Sequence, residues 1–231
     1  MQKPLLTALG IATLAVLEDF GTQEVSSTLW AFATLSFGSY DFWHHLASMC
    51  SRRCAGEFAL LRRTFSPQSL SNSVWAFATM RWHDAPLLDT LAIGAEICIW
   101  KFSTQALANS AWAFAQLEME PPVMETIQTQ AMTRLSEFQS RELATTAWTF
   151  RNGRQNEAIM EAILLEAQRR FRAGIDLDPA SSAMLLEAMA SYEWLATLIP
   201  GHGKHGKYGK MQLIPGFSPL LNDAEERGDL D

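Results

Sequence analysis

Eight small polar side chains stand at two fixed distances from a repeated tryptophan. Three residues before Trp30, Trp75, Trp112 and Trp148 are Ser27, Asn72, Asn109 and Thr145; four residues after them are Thr34, Thr79, Gln116 and Asn152. Each is an amide or hydroxyl that can donate and accept hydrogen bonds. On a helix, the positions three before, one after and four after a residue fall on one stripe, here away from the Leu/Phe stripe. A row of such groups that keeps its register but changes identity between copies suits a partner that is itself a row of flat, hydrogen-bonding units. The Watson–Crick edges of unpaired bases are such a row. A structural reading of the same residues stands beside it. In that reading the earlier position bonds a neighbouring helix and the later one merely ends its own.

Cations for a phosphate backbone would come from Arg52, Arg53, Arg62, Arg63, Arg151, Arg154, Arg169 and Arg170, although a charged helix face is often only solvated. The tryptophans themselves can stack on bases. A large ring in every copy beside an apolar stripe more often packs one copy on the next, and core packing is the expectation here. Cys50 and Cys54 lie one turn apart with His44 and His45 upstream, but no second cysteine pair completes a zinc site. His202 and His205 sit among glycines and lysines whose spacing matches no phosphate-binding loop. No Ser/His/Asp set, His-Glu-x-x-His or paired carboxylates occur, so neither a catalytic residue, a metal nor a cofactor is expected. The chain reads as a binding protein and not an enzyme.

The elements that must position these groups are legible from the repeat. Trp-Ala-Phe-Ala occurs at Trp30, Trp75 and Trp112, with a worn copy at Trp148. Ten residues before each Trp is Phe20, Phe65, Phe102 or Phe138; seven before is Gln23, Gln68, Gln105 or Arg141; five before is Val25, Leu70, Leu107 or Leu143. The Trp-to-Trp steps are 45, 37 and 36 residues. Such a period predicts stacked helical modules: an all-α fold, an α-solenoid of tandem helix-turn-helix repeats of about 36–38 residues. In each module a first helix starts at Ser66, Ser103 or Ser140 as N-cap, running over Pro67–Met80 in the best copy. A second helix begins at Pro86 or Pro122, where proline is tolerated.

The expected organisation is then as follows. Residues 1–19 form the second helix of a truncated repeat, and 20–64 a repeat whose second helix, Tyr40 to Thr64, is extended by about two turns. Residues 65–101, 102–137 and 138–174 are further repeats, with Glu157–Arg172 a second helix of the last. Residues 175–199 form a degenerate terminal repeat with a helix over Ser181–Tyr192 and Leu185 in the tryptophan slot. Residues 200–231 are a Gly/Lys then acidic tail too polar to bury a core. The apolar start resembles a secretory h-region, but Pro4 keeps the repeat's 16-residue distance to Phe20, so it belongs to a module. An array that starts in the middle of a module reads as a fragment or an unusually capped array, with no transit peptide to read.

Across 231 residues the chain carries a formal net charge of −7 and three cysteines. The odd, low cysteine count implies no disulfide framework. The acidic balance weakens bulk electrostatics as a route to nucleic acid, which needs local Lys/Arg, and favours a second class of function, a protein-interaction scaffold using the same concave surface.

The copies Phe65-Ser-Pro-Gln-Ser-Leu-Ser-Asn-Ser-Val-Trp-Ala-Phe-Ala and Phe102-Ser-Thr-Gln-Ala-Leu-Ala-Asn-Ser-Ala-Trp-Ala-Phe-Ala, with the pair Pro121-Pro122, resemble octotricopeptide repeats and the related repeats of organelle proteins that end in a RAP domain. The resemblance spans about residues 4 to 190, and no RAP domain follows. It implies an α-solenoid that binds single-stranded RNA in a mitochondrion or plastid, acting in RNA processing, stability, translation or ribosome assembly, with no membrane association.

Overall fold

In the computed structural model, which describes residues 2–54, 65–152, 156–175 and 177–190, every regular element is helical and no strand occurs among the described residues. The chain divides into two compact units, Met1–Gln130 and Ala131–Asp231. The first holds α1 (Gln2–Ala15), α2 (Thr22–Thr34), α3 (Tyr40–Cys54), α4 (Pro67–Thr79), α5 (Ala85–Cys98), α6 (Thr104–Gln116) and the start of α7 (Val123–Arg134). The second holds α8 (Ser140–Phe150), α9 (Glu157–Arg172) and α10 (Pro179–Ala190). No described helix is long and apolar enough to cross a membrane.

In the first unit the tryptophan-bearing helices form a row, α2 packing on α4 and α4 on α6. Small residues permit the close approach. Ser71, Ser73, Ala76 and Ala78 of α4, and Ala106, Ala108, Ser110, Ala111 and Ala113 of α6, are all buried. Ser71 Oγ donates to the Ala106 carbonyl across that contact at 3.3 Å. The helices between them pack behind: α3 on α2 and α5 on both α3 and α4. Val25, Leu29 and Phe32, then Leu70, Val74 and Phe77, then Leu107, Ala111 and Phe114 repeat the same buried stripe. Each Leu, Val or Phe so buried contributes about 1.5–3 kcal/mol of hydrophobic stabilisation before entropy is counted. Thr126 Oγ1 of α7 donates to Glu96 Oε1 of α5 at 2.8 Å.

The ends of the helices repeat as faithfully as their middles. Ser66 and Ser103 cap α4 and α6, accepting from the Ser69 and Ala106 amides at 3.0 and 3.1 Å. Six residues after each tryptophan the backbone turns left-handed, at Ser36 (φ 48°), Arg81 (φ 52°) and Glu118 (φ 56°). The next amide then returns to the carbonyl five residues back: Phe37 to Phe32, Trp82 to Phe77 and Met119 to Phe114, at 3.0, 2.8 and 2.9 Å. This is the Schellman arrangement, which usually takes glycine at the left-handed position. The helices behind end in 3₁₀ turns, Leu17–Asp19 and Ile99–Lys101, before an extended Phe20 or Phe102.

In the second unit α8 packs on α10 and α9 on α8. The expected cap at Ser140 is corrected: Ser140 is the first helical residue and Gln139 the cap. The Gln139 amide donates to Glu142 Oε2 at 2.8 Å, an anchor three residues on that Ser140 does not have. The helix expected from Ser181 starts at Pro179, because Asp178 accepts from the Ser181 amide at 3.0 Å and Pro179 fits a first turn. That Ser181 hydroxyl and the backbone amides hold the Asp178 carboxyl below its usual range. The extension of the second helix past Cys54 and the 200–231 tail lie outside the described residues, as does the part of the terminal repeat beyond Ala190.

Candidate functional site

Two elementary facts place a site on the row α2–α4–α6. The Ala/Ser surfaces bring equivalent positions of the three helices into register, and the residues flanking those surfaces are polar or aromatic. The result is a groove of about 890 Å³ lined by Ser27, Trp30 and Ala31 of α2, by Gln68, Ser71 and Asn72 of α4, and by Gln105, Ala106 and Asn109 of α6, with Ser66, Pro67, Lys101 and Ser103 at its rim.

Three of the four residues expected three positions before a tryptophan therefore meet: Ser27, Asn72 and Asn109 all face one cavity. None of the three side chains makes a hydrogen bond with another described residue. The hydrogen bond to the neighbouring helix belongs instead to the preceding residue, Ser71. The donors and acceptors of Ser27, Asn72 and Asn109 are thus open to a ligand or to water. Thr145 is half-buried in α8 of the second unit.

The position four residues after the tryptophan behaves differently. Thr34, Thr79 and Gln116 are the last residues of α2, α4 and α6, and none lines the groove. The Thr34 and Thr79 hydroxyls donate to the Trp30 and Trp75 carbonyls, each at 2.8 Å, so only their acceptor capacity is free. Asn152 is exposed just beyond α8.

The tryptophans pack from one module to the next, as expected, but are not fully buried. Trp30 is 46% exposed, and Trp75 and Trp112 are half-buried. Their rings form a ladder in which both steps, Trp30 to Trp75 and Trp75 to Trp112, have centroids 6.4 Å apart and planes inclined by 36°. Packing between modules is present, and of the three rings that of Trp30 lines the groove. In the second unit the Trp148 ring carries the Arg151 guanidinium 3.8 Å from its centroid.

Two further groups join the site. Gln68 and Gln105, exposed and seven residues before their tryptophans, lie one turn from Asn72 and Asn109. Their repetition was visible in the sequence: seven residues is two turns, the same face as the tryptophan. Lys101, at the end of the Ile99–Lys101 turn, is the one charged residue among the described residues lining the groove; its ammonium lies 4.6 Å from the centroid of the Trp100 ring. No carboxylate occurs among the described residues that line the groove.

The arginines divide. Arg170 is corrected from a phosphate contact to a structural residue, because it is buried. Its Nε donates to Glu166 Oε1 at 2.7 Å, and its Nη2 donates to the Leu135 and Phe138 carbonyls at 3.0 and 2.7 Å. Arg169, half-exposed, pairs with Glu166 Oε2 at 2.7 Å. Hydrogen bonds from Arg169 and Arg170 hold the Glu166 carboxyl below its usual range against the opposing effect of burial. Arg52 and Arg53 end α3 exposed; Arg52 pairs with Glu18 at 2.7 Å and Arg53 donates to the Glu18 carbonyl at 2.9 Å. Neither lines the groove. Arg62, Arg63 and Arg154 lie outside the described residues, as do His202 and His205.

Cys50 and Cys54 are both buried. Hydrogen bonding with Cys54 and complete burial push the Cys50 thiol well above its ordinary range, which disfavours the thiolate that a metal or an electrophile needs. No group of three metal-ligating side chains occurs among the described residues. What the groove's described residues can do chemically is bind: the Trp30 ring for stacking, amides and hydroxyls for polar edges, and the Lys101 ammonium for an anion. No protein-family model matches the chain, and no curated protein matches it.

Proposed function

We propose that the chain is a single-stranded RNA-binding helical-repeat protein whose two-helix modules are those of an α-solenoid, acting without catalysis. The observation that carries this reading is the groove of the first unit. Ser27, Asn72 and Asn109 line it in register beside Trp30, without a hydrogen-bond partner among the described residues and with no carboxylate among the described residues that line it. A base has a flat face and a polar edge, and this surface offers a partner for each. The resemblance of the Trp-Ala-Phe-Ala copies to octotricopeptide repeats supports the same ligand, and extends the proposal to organellar RNA processing, stability, translation or ribosome assembly in a mitochondrion or plastid. Arg52 and Arg53 are the cations proposed to meet phosphates outside the groove.

A protein-interaction scaffold is the second reading, favoured by the net charge of −7. Filter-binding titration with single-stranded RNA over a range of salt separates the two. Under the first reading RNA is retained at low salt and released with a log–log slope of about −0.7 per neutralised phosphate. No retention at low salt overturns it in favour of the scaffold.

A further inference from the structure

We propose that Trp100 and Lys101 form a lip beside the groove that grips the RNA strand at one point, a base against the indole and a phosphate on the ammonium. The proposal rests on the RNA-binding reading and extends that site past the groove itself. It starts from what the fold asks of a turn. The described 3₁₀ turns Leu17–Asp19, Ile99–Lys101 and Leu135–Glu137 each bury their first residue and lead into a phenylalanine in extended backbone. Their second and third residues are exposed in all three. Packing therefore leaves the identity of those two residues open. Two of the turns fill the places with Glu18-Asp19 and Ser136-Glu137, polar and acidic. The turn at the groove carries an aromatic ring and a cation instead.

Burial does not account for this indole. Trp43, which the fold needs inside, is 2% exposed, and its Nε1 donates to the Phe37 carbonyl. Trp100 is 64% exposed, and its Nε1 donates to no described residue. One exposed apolar side chain means little by itself; the cation beside it is what distinguishes this one. The Lys101 ammonium lies over the ring, 4.6 Å from its centroid, and makes no ion pair among the described residues. Lys101 also lines the groove with Ser103 and Gln105, so the ring is joined to the groove through a single side chain.

An indole with an ammonium at its face matches what a nucleotide presents. A base is a flat ring that stacks on an aromatic face whatever its sequence, and a phosphate is an anion that an unpaired ammonium attracts. A cation–π contact at an exposed site is weak, so the phosphate draws the ammonium off the ring and the base takes the freed face. Groove and lip then divide the work. Asn72 and Asn109 meet polar edges, while Trp100 and Lys101 add affinity that does not depend on sequence.

The test uses the full chain and a labelled pool of random-sequence RNA decamers, with fluorescence anisotropy recorded from low to high salt. Trp100→Leu should weaken binding by about 5- to 100-fold, and Trp100→Phe should recover most of that loss. Neither should move the thermal unfolding midpoint, since the site is on the surface. Lys101→Met should make the log–log salt slope shallower by about 0.7, one phosphate contact on a single strand. Undiminished binding by Trp100→Leu, a loss that Trp100→Phe does not recover or that tracks a lowered midpoint, or an unaltered slope in Lys101→Met overturns the lip and leaves RNA binding standing. No binding by the unchanged chain overturns the RNA-binding reading and the lip with it, and gives the exposed ring to a protein partner.

Discussion

Arg170→Met isolates what the second unit needs from its cations. The guanidinium is buried, with 7% side-chain exposure, against a Glu166 side chain that is 8% exposed, and it donates to the carbonyls of Leu135, which opens the 3₁₀ turn Leu135–Glu137, and of Phe138, which follows it. Methionine fills a similar volume but returns none of these bonds. Removing one partner of a buried ion pair costs about 3–5 kcal/mol. Glu166 keeps Arg169, which places the expected loss near the lower end, about 3 kcal/mol. That is a large fraction of the about 5–15 kcal/mol that holds a typical domain folded. Arg169→Met, at a half-exposed site where solvent screens the pair, should shift stability far less. Urea denaturation followed by circular dichroism reads both as midpoint shifts at constant slope. The reasoning fails if Arg170→Met and Arg169→Met shift the midpoint equally. It also fails if Arg170→Met leaves stability intact and instead flattens the salt dependence of RNA binding.

Other outcomes follow from the same geometry. Because the Glu166 carboxyl is held below its usual range by Arg169 and Arg170, its contribution is fully present above the unfolded carboxylate value of about 4.3 and is lost as pH falls below it through the lower folded value. Acid titration of the unfolding midpoint should show a decline there that Glu166→Gln flattens. Glu118→Gly should stabilise by about 0.5–1 kcal/mol in thermal unfolding, since a side chain at φ 56° costs about 1–2 kcal/mol and glycine's extra freedom in the unfolded chain offsets part of the gain. Asn72→Ala with Asn109→Ala should change the preferred bases in bound-RNA sequencing while stability stays within about 0.5 kcal/mol, because no intramolecular hydrogen bond is lost.

The helices were legible because local chemistry fixes them. Serine before proline starts α4, the apolar spacing defines Glu157–Arg172, and the recurrent Trp-Ala-Phe-Ala register aligns equivalent residues of α2, α4 and α6. Less legible was which side of each helix meets solvent. On a helix with Ala and Ser over much of its surface, burial follows from how closely the neighbouring helix approaches, and that is a tertiary quantity. The tryptophans illustrate it. Beside an apolar stripe they read as core; the rings do pack from helix to helix, yet the first of the row, Trp30, is left 46% exposed at the groove. Arg170 shows the converse. Its neighbours in sequence look like a solvated basic face, and only the fold brings the Leu135 and Phe138 carbonyls to it. The cap at Gln139 was missed because serine is the commoner cap, although Glu142 three residues on marked the start.

The central claim is that unpaired RNA lies in the groove of α2, α4 and α6. Ultraviolet crosslinking of the full chain to the random RNA decamers, followed by mass-spectrometric mapping of the adducts, tests it most directly. Adducts should fall on the peptides holding Ser27–Ala31, Ser66–Asn72 and Lys101–Asn109. Adducts confined to the glycine- and lysine-rich stretch Gly201–Lys210, with those three peptides unmodified, would contradict it.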